Sequence, residues 1–351
     1  MDFLRRIDAH LHFLAVRPQE IEMLRSLNVK LLNICAADRA DWRDQQAAPY
    51  RQQAGQWPEQ FAWCTTFDLP EVPYRGDYAE RVIAGLEADF AAGAVACKVW
   101  KNIGMELRDT EGRYVQVDDP VFEPIFRYLE KAGRPVLAHL AEPIACWRPL
   151  DPELPHTEYY RQNPKWHLYD KPEFPSHRTI LAARDRLLDR HPDLRLIGAH
   201  LGSLEFDLEM LADRMNRYPN FAVDTSGRLV DLAHLGVPVA DFIETYRDRI
   251  LWGSDLGTNP CHFPPGYRPP ESCTLLRRVY ELEWDYYGSD KLLTIGGRAA
   301  RGLKLPAAIQ DKIFLENARN WYPGLDRRNS NGSAWAHPSG RPAAALVGNT
   351  K

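Results

Sequence analysis

Four histidines and one aspartate lie at or near the ends of short apolar runs that are far apart in the sequence. His10 and His12 lie in RIDAHLHF, His139 in RPVLAHL, His200 in LRLIGAHLG and Asp255 in ILWGSDLG. Neutral imidazoles together with a carboxylate are ligands that suit Zn²⁺, Fe²⁺, Mn²⁺ or Ni²⁺. We therefore predict a divalent-metal site, provided that the fold brings these side chains to one point.

The spacing of His10 and His12 indicates how the first two donors share a site. On a strand, residues i and i+2 point the same way, so both imidazoles reach one point and Asp8 shares their face one step lower. The other interpretation is a pair of buried histidines held by hydrogen bonds, and an HxH pattern alone is weak support for a metal. The histidines and the aspartate in later runs favour the metal.

Eight apolar runs of strand length alternate with helical patterns along the chain. The runs cover 6–13, 29–36, 61–68, 94–100, 134–140, 194–202, 221–227 and 250–257. Helical periodicity covers 18–28, 78–93, 120–133, 176–192, 203–219, 238–249 and 271–287. This alternation predicts an α/β fold with a parallel sheet, and eight repeats favour a (β/α)8 TIM barrel. A doubly wound open sheet is the alternative, but no glycine-rich phosphate fingerprint follows the first run.

The predicted barrel spans residues 1–325 as one domain, and the small and polar residues 326–351 are expected to form a flexible tail. Two connections, 101–119 and 141–176, are long. At the C-terminal face of a barrel such loops serve as lids or pocket walls, and the alternative is a solvated excursion. An active site of this fold is built at that face from the ends of several strands, so the strand-ending polar residues are expected to converge.

Composition narrows the class of protein. The net charge is −4 and no long basic run is present, which argues against nucleic acid or an anionic membrane as partner. No apolar stretch approaches the ~20 residues of a membrane span, and the N-terminus does not read as a signal peptide. The six cysteines form no CxxC pair. We expect a cytoplasmic enzyme that acts on a small molecule and that can form a homodimer.

Five motifs, taken as an ordered set, resemble a known family. DAHLH, CKVWK, LAHLAEP, IGAHLG and LWGSDLG are similar to the signature of the amidohydrolase superfamily. More narrowly, they resemble its amidohydrolase-2 branch, which contains aminocarboxymuconate semialdehyde decarboxylase and metal-dependent lactonases. The resemblance covers most of residues 5–322, and LENARNWY looks like the closing helix of the branch.

The resemblance implies roles for individual residues. His10, His12, His139 and Asp255 match the metal ligands, and Asp255 also matches a proton shuttle. His200 matches a histidine that acts on the substrate in single-metal members and binds metal in two-metal members. We expect His200 and Asp255 to be catalytic and the cofactor to be one divalent ion, with zinc as the first choice and manganese, iron or nickel as alternatives.

Lys98, in the fourth run, bears on the number of metal ions. In two-metal relatives a lysine at this place is carboxylated and bridges the ions. An unmodified ammonium group is instead an anchor for a substrate carboxylate or carbonyl. A third interpretation is a lysine satisfied by a carboxylate such as Asp68. We favour substrate contact and one metal ion.

Further polar residues in the loops are candidates for substrate binding. His177 and Arg178 open a helix that is expected to face the barrel mouth, and Glu142 follows His139 by three residues. Asp224 and Ser226, in the VDTSG that ends the seventh run, either line the pocket or tighten a turn.

The chemistry expected from these residues is hydrolysis by activated water. The substrate would be a small carboxylated or polyhydroxylated ester, lactone or amide. The alternative on the same residues is non-oxidative decarboxylation of an unsaturated or aromatic acid. A third possibility is a barrel without catalytic activity that acts as a binding or scaffolding subunit.

Overall fold

The computed structural model describes residues 5–13, 18–38, 40–236, 238–257 and 273–325. The first eight strands are β1 (Arg6–Leu11), β2 (Val29–Ile34), β3 (Phe61–Cys64), β4 (Cys97–Val99), β5 (Val136–Ala138), β6 (Leu196–Gly198), β7 (Phe221–Asp224) and β8 (Ile250–Leu251). A hairpin of β9 (Leu292–Ile295) and β10 (Arg298–Arg301) follows. The predicted tail, 326–351, lies outside the described residues.

Helices connect the strands. The longer ones are α1 (Pro18–Leu27), α2 (Ala48–Gln56), α3 (Tyr78–Ala91), α4 (Glu123–Lys131), α5 (Thr157–Gln162), α6 (His177–Arg190), α7 (Leu208–Arg217), α8 (Leu229–Leu235), α9 (Pro238–Thr245), α10 (Cys273–Gly288), α11 (Ala307–Asp311) and α12 (Asn317–Trp321). Single helical turns lie at Arg43–Ala47, Ile144–Trp147, Pro164–Trp166 and Lys312–Glu316. Asn102–Met105 and Ala199–Gly202 are turns with non-helical backbone angles at their inner residues. Among the helices in the described ranges, none is both long and apolar enough to cross a membrane.

The strands are parallel and follow one another in chain order, as in a (β/α)8 barrel. β1 to β3 form one sheet and β4 to β8 form another. Thr65, just after β3, bridges to Cys97 in β4, and His12, just after β1, bridges to Gly257 beyond β8. Short contacts therefore join the two sheets at both seams, and the predicted fold class is confirmed.

Apolar side chains fill the interior and a surrounding layer. The interior cluster takes residues from seven of the first eight strands and from the segment just before β4, and it includes Ile7, Ala9, Leu32, Ile34, Ala62, Cys64, Ala96, Leu137, Ile197, Ala222 and Leu251. Trp321, Tyr322 and Leu325 belong to the same cluster and come from the end of the described chain. A larger cluster lies between the strands and the helices. Burial of this apolar surface stabilises the ring that carries the polar strand ends.

The elements differ from their predicted bounds mostly at the ends that carry polar residues. Helix α7 begins at Leu208 rather than 203, because His200, Leu201 and Ser203 have positive φ angles and cannot belong to a right-handed helix. Asp207 caps α7 by accepting a hydrogen bond from the Met210 amide. The β9–β10 hairpin was not predicted.

Candidate metal centre and active site

Three of the predicted site residues present ligand atoms to one another at the C-terminal ends of the strands. One atom each of His10, His200 and Asp255 lies within 4.8 Å of the other two. The two histidines are buried, and the Asp255 side chain is 33% exposed. The groups come from β1, from the turn after β6 and from the segment after β8, so the predicted convergence of distant strand ends is present.

The other two predicted ligands adjoin this group. His12 Nε2 lies 3.5 Å from Asp255 Oδ1, and His10 Nε2 lies 3.7 Å from the same oxygen. His139 Nδ1 lies 3.1 Å from His200 Nε2. All four histidines and the aspartate therefore form one continuous cluster.

Hydrogen bonds at Nδ1 assign the proton positions of three imidazoles. His10 Nδ1 lies 2.8 Å from Asp224 Oδ2, and His12 Nδ1 lies 2.8 Å from the Ile34 carbonyl oxygen. His200 Nδ1 lies 2.8 Å from the Ser226 carbonyl oxygen. Carbonyl and carboxylate oxygens only accept hydrogen bonds, so each Nδ1 carries the proton and each Nε2 keeps its lone pair.

His139 has a buried nitrogen without a hydrogen-bond partner. Because His200 Nε2 holds a lone pair, the proton between the two rings belongs to His139 Nδ1, which donates it. His139 Nε2 is then a second lone pair, and no described group donates to it. An orphaned buried acceptor of this kind is costly unless a ligand completes it.

Asp8 does not share the face of His10 and His12. The pairing of β1 with β2 runs in register to Asp8 and then shifts before Leu11, which adds a residue to β1. Since a slip of one residue changes the face of a side chain, the predicted alternation fails at this point. The Asp8 carboxylate accepts hydrogen bonds from the Ser254 amide at 3.0 Å and from the Tyr280 hydroxyl at 2.9 Å.

The turn after β6 places His200 by an unusual backbone path. His200 has φ 59°, a left-handed conformation that is uncommon for residues other than glycine. A Cβ on Gly198 would lie 2.7 Å from the Gly202 Cα and 2.9 Å from the Phe221 ring, so this turn requires glycine. The His200 amide donates to Asp224 Oδ1 at 2.8 Å, which holds the turn against β7.

Asp224 forms hydrogen bonds with two of the histidines, His10 and His200. Its Oδ2 accepts from His10, while its Oδ1 accepts from the amides of His200 and Ser226. Burial disfavours its charged form, but His10, His200 and the hydrogen bond from the Ser226 hydroxyl outweigh burial and hold the pKa of Asp224 well below its ordinary value. Of the two interpretations left open, the turn is the one the structure shows, because Asp224 accepts a hydrogen bond from the Ser226 amide and neither residue lines the site cavity.

The charges in the cluster favour an ionised carboxylate beside neutral imidazoles. Burial lowers the pKa of His200 and of His139 well below their ordinary values. Burial opposes ionisation of Asp255, yet contacts with His200, His12 and His10 prevail and keep the pKa of Asp255 well below its ordinary value. Neutral imidazoles and a carboxylate are the forms that bind divalent metals.

Lys98 contacts the cluster directly. Its Nζ lies 3.3 Å from His10 Nε2, and burial lowers the pKa of Lys98 to about 8. Across the described parts of the chain, no carboxylate lies within ion-pair distance of Lys98. Asp68 instead accepts a hydrogen bond from the Trp42 indole, so it does not satisfy this lysine.

A cavity of about 460 Å³, which we name the site cavity, opens above the cluster. It is lined by His10, His12, Asp38, Lys98, Trp100, Lys101, His139, Glu142, Pro143, His156, Tyr159, Asn163, Lys165, Trp166, His200, Gly227, Arg228, Asp255 and Gly257. Several wall residues come from 141–176, so part of this long connection forms a pocket wall, as predicted.

Glu142 lies in the wall of the site cavity and is already paired. It forms a buried ion pair with Lys101 and accepts a hydrogen bond from the Tyr160 hydroxyl at 3.0 Å. The Lys101 ammonium lies 3.8 Å from the centre of the Trp166 ring. These contacts give the wall a fixed shape, and burial lowers the pKa of Lys101 to about 7.

The structure places His177 and Arg178 away from the cluster. Both line a second cavity of about 510 Å³, the side cavity, together with Ile144, Trp147, Ser176, Leu181, Ala182, Asp185, Phe206, Met210 and Arg214. His177 Nε2 lies 2.8 Å from the Ser203 carbonyl oxygen, and its ring packs against Trp147. Helix α6 begins here as predicted, with Ser176 as its cap, but its first residues do not face the histidines.

Arg228, Tyr159, His156 and Trp166 line the site cavity and were not predicted as site residues. Arg228 follows the VDTSG segment at the end of β7, and that position is the only sequence signal that pointed to it. The aromatic residues lie in the 141–176 connection, where composition indicated a pocket wall without identifying its members.

The chemistry of the donors fits a divalent metal ion. His10, His200 and Asp255 lie close enough together to share an ion, and His12 and His139 adjoin them with Nε2 lone pairs, of which that of His139 lacks any partner among the described residues. The Nδ1 hydrogen bonds orient the rings, which is how proteins usually hold metal-binding histidines.

Comparisons with known proteins agree with this geometry. A family model described as Amidohydrolase matches residues 7–324. The sequence matches no curated protein.

Two solved structures of decarboxylases are similar in fold. The 2,6-dihydroxybenzoate decarboxylase from Rhizobium is 17% identical with a TM-score of 0.55, and the match covers 91% of this chain and 99% of the decarboxylase chain. A dihydroxybenzoic acid decarboxylase from Polaromonas sp. JS666, solved with manganese and 2-nitroresorcinol, is 17% identical with a TM-score of 0.54 over 93% and 98%.

An uncharacterized TIM-barrel protein from Bordetella bronchiseptica is also similar, at 16% identity and a TM-score of 0.54 over 92% of this chain and 100% of its own. At these identities the likeness concerns the fold. The match of the family model over nearly the whole chain goes further and shows that this chain belongs to the amidohydrolase family.

Proposed function

We propose that this protein is a metal-dependent hydrolase that acts on a small carboxylated or polyhydroxylated ester, lactone or amide. The position of Asp255 carries the proposal. Its carboxylate lies 3.5 to 3.9 Å from the nearest nitrogens of His12, His10 and His200, and it is more exposed to the site cavity than those buried rings. A carboxylate in this position touches both a bound ion and a substrate.

His10, His12, His139 and Asp255 are the proposed ligands of one divalent ion. The Nε2 atoms of the three histidines carry lone pairs, and His139 Nε2 has no partner among the described residues. His200 Nε2 also carries a lone pair but accepts a hydrogen bond from His139, so we propose a role for His200 in the reaction rather than as a ligand. Zinc is the first choice of metal for imidazole and carboxylate donors, and manganese, iron and nickel fit the same donors. When bound, such an ion lowers the pKa of water from 15.7 towards roughly 7 and polarises a carbonyl group.

The residues of the chain carry the proton and hold the substrate. Asp255 takes a proton from the attacking water and delivers it to the leaving group. The Lys98 ammonium, which has no carboxylate partner among the described residues, contacts the carbonyl or carboxylate of the substrate. A neutral His200 ring with its proton on Nδ1 cannot donate from Nε2, so donation to the substrate requires His200 Nε2 to gain a proton after its hydrogen bond with His139 opens.

Decarboxylation is the second candidate, and the aromatic wall of the site cavity favours it. Trp100, Tyr159 and Trp166 line the cavity and offer flat surfaces to a planar unsaturated acid. Two similar folds belong to decarboxylases of dihydroxybenzoic acids. In this reaction Asp255 would first take a proton from water and then deliver it to the carbon that loses CO₂.

One experiment separates the two reactions. The protein is purified without added metal, its metal content is measured, and lactones, esters and unsaturated acids are tested for acid release in a pH-stat and for CO₂ release. We expect about one ion per chain and acid release without CO₂. CO₂ release from an acid would establish the lyase instead. A protein that retains no metal and converts no compound would overturn both candidates.

A further inference from the structure

Arg228 is a buried cation whose hydrogen bonds are not completed by the residues that the structure describes. Its residue is 6% exposed, and it lines the site cavity. A guanidinium group carries five N–H donors. Within the described residues, its hydrogen bonding is limited to Nη1, which donates to the Gly227 carbonyl oxygen at 2.8 Å, and Nε has no partner.

The carboxylate of Asp231, which lies close to Arg228, does not accept a hydrogen bond from its guanidinium group. Asp231 Oδ2 lies 4.0 Å from Arg228 Nε, beyond hydrogen-bond distance. Both oxygens of Asp231 lie 3.0 Å from His156 Nε2, so this carboxylate is engaged with the imidazole. Asp231 offsets part of the charge of Arg228 without accepting its hydrogens, and the cost of leaving those donors unpaired remains.

Arg228 is also close to the reacting groups. Gly227, the preceding residue, has φ +62°, and a Cβ there would lie 3.2 Å from Asp255 Oδ2. Arg228 also lines the site cavity together with His139, His200 and Asp255. The guanidinium therefore acts on the same space as the metal-binding cluster.

We propose that Arg228 is a specificity-determining residue that binds a carboxylate of the substrate through its free guanidinium donors. The inference rests on the proposed function and holds for either reaction. A carboxylate accepts two parallel N–H bonds from a guanidinium, which a carbonyl or hydroxyl oxygen does not do. The site cavity, at about 460 Å³, limits the substrate to a small organic acid.

Other cations of the cavity wall are less suited to this role. Lys101 is paired with Glu142, and Lys165 is paired with Glu106. Lys98 contacts His10 and lies at the cluster itself. Among the described residues of the wall, Arg228 is thus the guanidinium group whose donors remain open, so it anchors an acid group beside the centre where the reaction takes place, while Lys98 lies at the cluster itself.

Isothermal titration calorimetry with benzoate and benzamide tests the proposal without turnover. The two probes have the same shape, and benzoate carries the charge. We expect wild-type protein to bind benzoate at least about 10-fold more tightly than benzamide, because a hydrogen bond to a charged group is the stronger one. Equal affinities, or no binding of benzoate up to millimolar concentrations, would overturn the proposal.

Variants then locate the recognition. Arg228→Gln should weaken benzoate binding by about 10- to 100-fold and leave benzamide within a few-fold, and Arg228→Lys should recover part of the loss. Arg217→Gln is the matched control, since Arg217 is an exposed arginine paired with Asp189 on the outside of the barrel. Melting temperature and metal content are measured for each protein.

The outcomes of these titrations separate the two proposals. If folded Arg228→Gln with unchanged metal content still prefers benzoate as strongly as wild type does, the carboxylate is recognised elsewhere, at Lys98 or at the ion, and the inference about Arg228 is wrong. If the preference for benzoate over benzamide depends on Arg228 while the protein holds no metal and converts no compound, the inference about Arg228 is supported and the proposed function is wrong.

Discussion

The site cavity and the side cavity are similar in size but differ in the state of their polar groups. Each contains a buried histidine and an arginine, at about 460 Å³ and about 510 Å³. In the side cavity, His177 bonds the Ser203 carbonyl oxygen, and Arg214 bonds the Met210 carbonyl oxygen. In the site cavity, His139 Nε2 and Arg228 Nε have no partner in the described structure.

This difference identifies the functional cavity better than residue type or volume does. Satisfied polar groups contribute to the stability of the fold, and adding a ligand would cost them the bonds they have. Unsatisfied buried groups weaken the folded state until a ligand completes them, so they are retained where binding is useful. The comparison predicts that changes in the site cavity affect metal and turnover, whereas changes in the side cavity affect stability.

The largest expected effect is the loss of the metal from the site cavity. His10→Ala removes a ligand whose ring is held by Asp224, so the protein should retain almost no ion and lose activity at least about 1,000-fold. His177→Ala, the matched change in the side cavity, should keep the ion. Metal analysis and turnover are measured on both variants.

Two outcomes of these substitutions would change the interpretation. His200→Ala should keep the metal and lose turnover, and loss of metal as well would favour His200 as a ligand, as the close group of His10, His200 and Asp255 allows. Loss of turnover in His177→Ala, with metal and stability retained, would show that His177 contacts the substrate, as the sequence predicted. It would contradict the expectation that changes in the side cavity affect only stability.

The next effect concerns the stability of the side cavity in acid. Burial lowers the pKa of His177 to about 4, against the ordinary value of 6.5. The unfolded chain therefore binds more protons in this window, and the free energy of unfolding falls as the pH decreases from 6.5 to 4. In His177→Gln, which keeps an N–H donor near Ser203, this loss should be smaller by roughly 2 to 3 kcal/mol.

Urea unfolding at pH 7 and pH 4.5 measures this difference. The glutamine variant and wild type are compared at each pH, so the acid titration of other groups cancels. An equal loss of stability in both proteins would show that His177 is not held neutral by its surroundings. Unchanged metal content at pH 7 is the control that places the effect outside the site cavity.

The smallest of the three effects is expected at Asp224, which accepts a hydrogen bond from the proposed metal ligand His10. Asp224→Asn keeps the shape of the side chain but replaces the charged acceptor of His10, so metal affinity should fall about 10- to 100-fold. Asp185→Asn is the control, because Asp185 is a carboxylate of the side cavity that bonds Arg184. Competition with a chromophoric chelator measures both affinities, and equal values would contradict a positioning role for Asp224.

Strand periodicity and strand-ending polar residues were enough to predict the barrel and its centre. Alternating apolar runs and amphipathic helices depend on local patterns that a sequence displays directly. Parallel strands of a barrel present their C-terminal ends at one face, so His10, His200 and Asp255 could be predicted to meet although they are far apart in the chain.

Only the tertiary structure decided which polar groups have hydrogen-bond partners and to which side of a strand or helix each side chain points. A single extra residue in β1 turns Asp8 away from His10, and no pattern in the sequence marks that shift. Helix α6 directs His177 into the side cavity. Arg228 resembles any other arginine until its neighbours are known, because the state of a hydrogen bond depends on which acceptors the packed chain brings within about 3 Å.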